Sequence, residues 1–315
     1  MRIGIICPAP PGSRYGNRIT AMRWARVLRG LSHRVTLETM YKGAAYDVLI
    51  ALHARRSACA VFAFQKLHPG MPVVVALTGT DVYRDIRDNR SAQRAMETAA
   101  RLVVLQPLAC EELATRLRDK ARVVYQSVER TAGAATRPEQ FFRVCVAGHL
   151  RSVKDPFRAA MAVRNLPAQS RIRVVQAGAA MDDEIAQRVS DEQRRNSRYR
   201  WLGELPRWKV RRLIASSHVL VLSSRLEGGA NVISEAVVDH TPVIASRIAG
   251  SVGLLGADYP GLYPVGDTSG LRDLLLRAES DRSLYRELQS RCAKLAKLFA
   301  PAREESAWRH LLGEL

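Results

Sequence analysis

The chain of 315 residues has no run of 18 apolar residues, so nothing in it has the length and hydrophobicity of a membrane-spanning helix. Cysteine is sparse: Cys7, Cys59, Cys110, Cys145 and Cys292 are scattered and odd in number. No Cys-x-x-Cys or Cys/His ligand spacing appears among them, which excludes a disulfide framework and a structural zinc site. Cys7 and Cys145 sit inside apolar runs and are expected in the core. Aromatics make up only 6%, and there is no RNA-binding aromatic motif, zinc finger or basic tail. There is no Gly-x-Gly-x-x-Gly, so dinucleotide binding is not indicated, and no Asp-x-Asp to hold a metal. Asp182 and Asp183 read as a helix cap instead. The first residues, MRIGIICPAPPGSR, enter a strand at once and lack the apolar helix and cleavage site of a signal peptide. A cytoplasmic, reduced protein without structural metal is the simplest expectation.

What is abundant is arginine. The formal net charge is +19, and of 49 basic residues 42 are arginine and 7 lysine. Residues 1–140 carry 22 basic and 11 acidic residues against 27 and 19 in the remainder, so the excess is denser in the first half. An arginine-biased composition without function, an anionic substrate, an anionic membrane surface and nucleic acid all remain open readings, nucleic acid being the least supported.

Both halves repeat one rhythm. Apolar strand runs are predicted at 3–7, 35–37, 48–52, 73–77, 102–105 and 123–125, with helical patterns at 17–31, 55–67, 91–100 and 107–117. Residues 129–139, ERTAGAATRPE, are small and polar and read as an interdomain linker. Strands resume at 144–147, 174–177, 199–202, 219–222, 243–245 and 262–265, alternating with helices at 156–165, 183–195, 207–215, 230–238 and 270–277. A charged helix, 281–298, is interrupted at Pro301 and followed by a last helix, 302–312, bearing Trp308, Leu311 and Leu312. Strands separated by helix-length segments predict parallel, doubly wound sheets. The expected domains are 1–135 and 136–300, with 301–315 as a final helix.

The stretch from Val219 to Gly250 is the most informative: an apolar run, Glu227, the pair Gly228-Gly229, a helical run carrying Glu235, and a second apolar run. That is one βαβ unit. Its glycines let backbone N–H groups approach a ligand, and the helix N-terminus favours an anion. Glu235 follows Glu227 by roughly two turns, about 12 Å of helix. Two carboxylates flanking a phosphate-friendly helix start suit a sugar nucleotide, because carboxylates accept from hydroxyls and amides hold the diphosphate. The pattern E-G-x-x-x-V-x-x-E-A, then P-V-I-A-S and a glycine, resembles the donor site of retaining glycosyltransferases with two facing Rossmann-like domains (GT-B type).

That resemblance implies an α/β fold of two facing doubly wound domains, the first on the acceptor side and the second binding the nucleotide sugar, with the last helix crossing back to the first. It implies that Glu227 contacts the donor sugar and Glu235 the ribose. The amides of Gly228, Gly229, Ala230, Asn231 and Val232 would hold the diphosphate. In V-A-G-H-L-R-S-V-K-D-P, Lys154 falls on the family's diphosphate-binding lysine; His149 replaces an arginine, and Arg151 is displaced two residues onward. Lys154 and Glu227 are the expected catalytic residues, with Lys154 stabilising the departing diphosphate. On the acceptor side, the loop after the first strand supplies Gly12, Ser13, Arg14, Asn17 and Arg18, with Arg14 and Arg18 one helical turn apart. The third strand leads into His53 and Arg55, and the fourth into Thr78, Gly79 and Asp81. Thr78 stands where relatives keep a histidine. His53 reads equally as a packed or capping residue. No metal and no cofactor beyond the UDP-sugar co-substrate is implied.

The strings SRYGNR, ALHARRS, VVALTGTDVYRD, RLVVLQP, GHLRSVKDP, RYRWLGELPRW, SSRLEGGANVISEA and IAGSVGLLGADYPGLYPVGD together resemble a narrower branch, the selenosugar synthases of selenoneine biosynthesis. This implies transfer of a hexose from UDP-glucose or UDP-N-acetylglucosamine to selenophosphate, with no nucleic acid or integral membrane partner and with functional coupling to other enzymes of that pathway. A polyanionic acceptor fits the basic first half, and an anionic selenium nucleophile needs no general base at Thr78. Two other readings stay open: transfer to another anionic acceptor, such as a phospholipid head group or hydroxy acid, and a non-enzymatic sugar-nucleotide or nucleic-acid binding protein.

Overall fold

A computed structural model describes residues 1–133 and 136–315. The chain divides into two compact units, Met1–Ser127 with Ala300–Leu315, and Val128–Phe299. The first holds β1 (Arg2–Ile6), β2 (Arg34–Glu38), β3 (Val48–Leu52), β4 (Val73–Leu77), β5 (Arg101–Val104) and β6 (Ala121–Val123). The second holds β7 (Phe142–Ala147), β8 (Ile172–Ala177), β9 (Tyr199–Trp201), β10 (Val219–Leu222), β11 (Val243–Ser246) and β12 (Leu262–Tyr263). Among the described residues each unit carries one six-stranded sheet, ordered β2-β1-β3-β4-β5-β6 and β12-β11-β10-β7-β8-β9. The pairings are parallel throughout. This is the two-Rossmann α/β architecture of the GT-B type.

The strand composition explains the architecture. β3 (VLIAL), β4 (VVVAL) and β10 (VLVL) are buried at every position. A strand covered on both faces must be apolar at successive residues, and parallel sheets achieve that cover with crossover helices. In the first unit Phe64, Met96 and Leu117 fill one face of the sheet, and Trp24, Leu28 and Trp308 fill the other.

The last helix, Pro301–Gly313, belongs to the first unit. Trp308 meets Trp24 edge to face, with ring centroids 4.9 Å apart. Beside them Glu304 is buried, and a buried carboxylate must be matched. It accepts from Trp24 Nε1 at 2.8 Å, Arg23 Nε at 3.3 Å, Ser127 N at 3.0 Å and the Ser127 hydroxyl.

Several local features differ from the pattern reading, among them short unforeseen helices at Thr80–Val82 and Asp85–Asp88. The expected linker 129–139, of which 134 and 135 lie outside the described residues, packs against the second unit. Thr131 N and Oγ1 donate to Asp239 at 2.8 and 2.6 Å. Arg137 donates to the carbonyls of Ser217 and His240. The units therefore meet in sequence at 127/128 rather than 135/136, because polar side chains in a loop-like string found buried acceptors. The expected helix 107–117 is broken into a 3₁₀ turn, Pro107–Cys110, and a short helix, Thr115–Arg118. The Gln106 side chain takes the Leu108 N–H, and Glu111 and Leu113 bond three residues back, which tightens the turn. An unforeseen helix, Ala249–Leu255, follows β11.

Truncating Glu304 to Ala should remove the shared acceptor of Trp24, Arg23 and Ser127 and cost about 3–5 kcal/mol of stability. Denaturant unfolding measures it; a loss under about 1 kcal/mol would reduce Glu304 to a surface-like contact. In the second unit, burial alone would raise the Glu192 pKa, but bonds from Arg164, Asn196 and Arg195 outweigh it and hold the group at about 2. Its folded pKa lies below the unfolded value, so it stabilises above the ordinary carboxylate range and loses that contribution as pH falls toward about 2. Glu192→Gln should therefore flatten the acid limb of a stability-versus-pH curve over that window. An unchanged acid limb would show that Glu192 does not govern it.

Candidate active site

In an open doubly wound sheet, ligands bind beyond the carboxyl ends of the strands, at the point where strand order reverses. The second sheet reverses between β7 and β10. The loops leaving those two strands carry Lys154 and Glu227, and the structure brings the two side chains together. Lys154 Nζ donates to Glu227 Oε1 at 2.9 Å, and Ser224 Oγ donates to the same oxygen at 2.8 Å.

Backbone stitching explains this meeting. Ser223 Oγ donates to the carbonyls of Lys154 and Asp155, at 3.2 and 2.8 Å, and Arg225 N to that of Val153 at 2.8 Å. Asp155 turns the chain with φ +44 and is held by Arg158, which also reaches Thr268. Close packing fixes the loops further. A Cβ on Gly178 would lie 1.9 Å from the Gly148 carbonyl oxygen, and one on Gly250 would lie 2.1 Å from that of Glu227. Only glycine permits either approach.

The helix Asn231–Val238 starts directly after this loop, with Ala230 at its cap. Its first N–H groups, on Asn231 and Val232, have no partner within the helix, which is the anion-favouring arrangement of a helix start. Gly228 is buried and Gly229 half-buried at the turn. Glu235 lies on the buried side of this helix and accepts from Arg207 Nη2 at 3.2 Å. His149 points its Nδ1 at the Ala179 N–H, 3.3 Å away, and so supports the loop after β8. Arg151 is exposed.

The first sheet reverses between β1 and β3. The loop after β1 turns at Gly12, φ +77, where Ser13 N and Oγ both donate to the Pro10 carbonyl. The helix Gly16–Gly30 begins after Arg14, so only Arg18 is helical and the two arginines do not share a helix face. Arg14 is exposed, whereas Arg18 is half-buried and its Nε is buried without a hydrogen-bond partner among the described residues. Asn17 accepts from the Thr78 hydroxyl at 3.0 Å, joining this loop to the one after β4.

His53 leaves β3 in the left-handed region, φ +72, buried to 5% exposure. Its Nδ1 accepts from Arg56 N at 3.4 Å and lies 3.7 Å from Asp81. Burial lowers the His53 pKa, with Asp81 opposing. Asp81 is fully buried and accepts from Ala54 N at 3.0 Å and Gly79 N at 2.8 Å. It shapes the loops after β3 and β4 and has no surface to offer a ligand. Arg55 is paired with Asp85 at 3.1 Å. Sequence reasoning missed Arg207, Ser223 and Ser224. A serine string beside Glu227 was a signal for the last two; nothing local marks Arg207.

Comparison with known proteins is consistent with this geometry. Solved structures of similar fold include Anabaena HepE in complex with UDP, at 14% identity, TM-score 0.82 and full coverage of both chains. HepE with UDP-glucose superposes with TM-score 0.81 at 15% identity, again over the whole of both chains. Sucrose-phosphate synthase from Thermosynechococcus elongatus matches over all of both chains at 14% identity and TM-score 0.76. At these identities the likeness is one of fold. The glycosyl transferases group 1 family matches residues 128–298, more than half of the chain and spanning Lys154, Glu227 and Glu235. The chain belongs to the glycosyl transferases group 1 family.

Proposed function

We propose that this glycosyltransferase moves a hexose from a UDP-sugar, UDP-glucose or UDP-N-acetylglucosamine, to selenophosphate. The second unit takes the donor. Glu235 receives the ribose hydroxyls, Glu227 the sugar hydroxyls, and Lys154 with the amides at Gly228–Val232 the diphosphate. Selenium attacks the anomeric carbon, the bond from that carbon to the diphosphate oxygen breaks, and UDP departs against Lys154. Water then cleaves the Se–P bond, leaving a 1-selenosugar and phosphate.

Lys154 and the helix amides supply the positive field that the leaving diphosphate needs. The proposed chemistry therefore runs without a divalent metal. The UDP complexes of HepE, a protein of similar fold, support a uridine nucleotide as donor.

The observation that carries the acceptor half is the Thr78–Asn17 bond beside Arg18. Where a base would stand, a hydroxyl is committed to a neighbouring amide, and half-buried Arg18 follows that amide's residue in the chain. An acceptor already anionic at selenium needs no proton removed, and its phosphate end suits arginine. His53, the histidine at the end of β3, is 5% exposed and poorly placed to take a proton from a hydroxyl acceptor.

Mass spectrometry of the protein incubated with UDP-glucose and selenophosphate should detect a selenohexose, UDP and phosphate, with turnover retained in EDTA. A glycoside formed only with hydroxyl acceptors would return the chain to ordinary glycosyl transfer. Loss of turnover in EDTA with recovery in magnesium would overturn the metal-free scheme.

Arg18→Ala should raise the KM for selenophosphate about tenfold and leave UDP affinity nearly intact. Added salt should weaken the same step, since screening acts on partly exposed charges. Equal losses for both substrates would remove Arg18 from acceptor recognition.

A further inference from the structure

We infer that Arg207 is a positioning residue for nucleotide binding, acting through Glu235; this rests on the donor reading of the second unit given above. The helices Arg207–Ala215 and Asn231–Val238 are joined by two ion pairs spaced one turn apart on each. Arg211 Nη2 meets Asp239 Oδ2 at 2.9 Å, and Arg207 Nη2 meets Glu235 Oε1 at 3.2 Å. The two pairs differ in setting. The Arg211 and Asp239 side chains are 13% and 2% exposed, and Asp239 also holds Thr131. That pair is an internal strut. The Glu235 side chain is 7% exposed, but Arg207 is 49% exposed, so the outer pair opens to solvent.

Arg207 occupies the first residue of its helix, after Pro206 at the cap. A cation there opposes the helix dipole and earns the helix nothing. Lys209 adds a second cation in the same turn. The placement makes physical sense from the other partner's side. A carboxylate aimed while mostly out of water needs a matched donor, and Arg207 supplies one at 3.2 Å. Glu235 follows the diphosphate-favouring start of its helix by one turn. Ribose hydroxyls arriving there would find a carboxylate already fixed in direction.

The test is a double-mutant cycle read by calorimetry with UDP itself: wild type, Arg207→Ala, Glu235→Ala, the double variant, and Arg207→Lys as the charge-keeping form. Thermal unfolding of each reports folding. The expected result is an about tenfold weaker UDP affinity in Arg207→Ala, partial recovery in Arg207→Lys, and no further loss on adding Arg207→Ala to Glu235→Ala. With a UDP-sugar and acceptor, the donor KM should carry most of the effect and kcat little. Unchanged affinity in a folded Arg207→Ala, or losses that add in the double variant, would overturn the inference. The first would make the pair a surface contact, and the second would make Arg207 a direct ligand of the nucleotide. Absence of UDP binding in the wild type would instead overturn the donor reading, and this inference with it. UDP binding lost in Glu235→Ala but kept in Arg207→Ala would leave the donor reading standing alone.

Discussion

Every carboxylate taken out of water must be matched, and in this chain acids are the scarce partner: 30 against 49 basic residues. The buried ones therefore act as fixed nodes to which several elements attach. Glu304 ties the last helix to Trp24, Arg23 and Ser127. Glu192 collects Arg164, Arg195 and Asn196. Asp239 joins Arg211 to the segment around Thr131. Asp81 shapes two loops of the first unit through the amides of Ala54 and Gly79. An arginine-rich composition makes such matching easy, since five N–H donors in a rigid fork can serve a carboxylate and a carbonyl together. Part of the basic excess is thus architectural. The rest is displayed on the surface.

The same accounting separates struts from site. Glu304, Glu192 and Asp81 have both oxygens engaged by neighbours inside the fold. Glu227 is different: Lys154 and Ser224 converge on one oxygen at the reversal point of the sheet, where both backbone loops are immobilised by Ser223 and by the glycine contacts at 178 and 250. Rigid loops carrying a paired but half-buried lysine and glutamate are what a site needs when a dianionic leaving group must be met without reorganisation.

Much of the fold was legible because its signals are local. The runs 48–52, 73–77 and 219–222 coincide with strands since a doubly covered strand has to be apolar at every residue. The helices 183–195 and 207–215 coincide as well, the first with Asp182 capping Ile185 N. The failures share one feature, side-chain hydrogen bonds to the backbone or to buried acceptors, some distant in sequence and some within one turn, which hydrophobic periodicity does not register. Residues 129–139 look like a linker until Asp239 and the Ser217 carbonyl are placed beside them. Residues 107–117 look helical until Gln106 folds over its own turn. Of the candidate site, Lys154 and Glu227 were readable as a motif and lie in contact, but Asp81 was not readable as buried, nor Arg207 as the partner of Glu235.

Lysine usage adds the last step. With 42 arginines available, a lysine at the candidate diphosphate position is the minority choice, one of only 7. The two cations do different work. Arginine's planar fork lets one side chain hold several acceptors at once: Arg164 takes both oxygens of Glu192, Arg23 joins Glu304 to Gln126, and Arg211 joins Asp239 to the Glu129 carbonyl. An ammonium is a compact point charge on a flexible stem, able to leave one oxygen for another. Lys154 rests on Glu227 at 2.9 Å with its side chain 31% exposed, and in the proposed mechanism it would exchange that carboxylate for an incoming phosphate oxygen. Under the proposed mechanism, the residue type itself would thus separate the cation that exchanges its partner from the cations that hold the fold together.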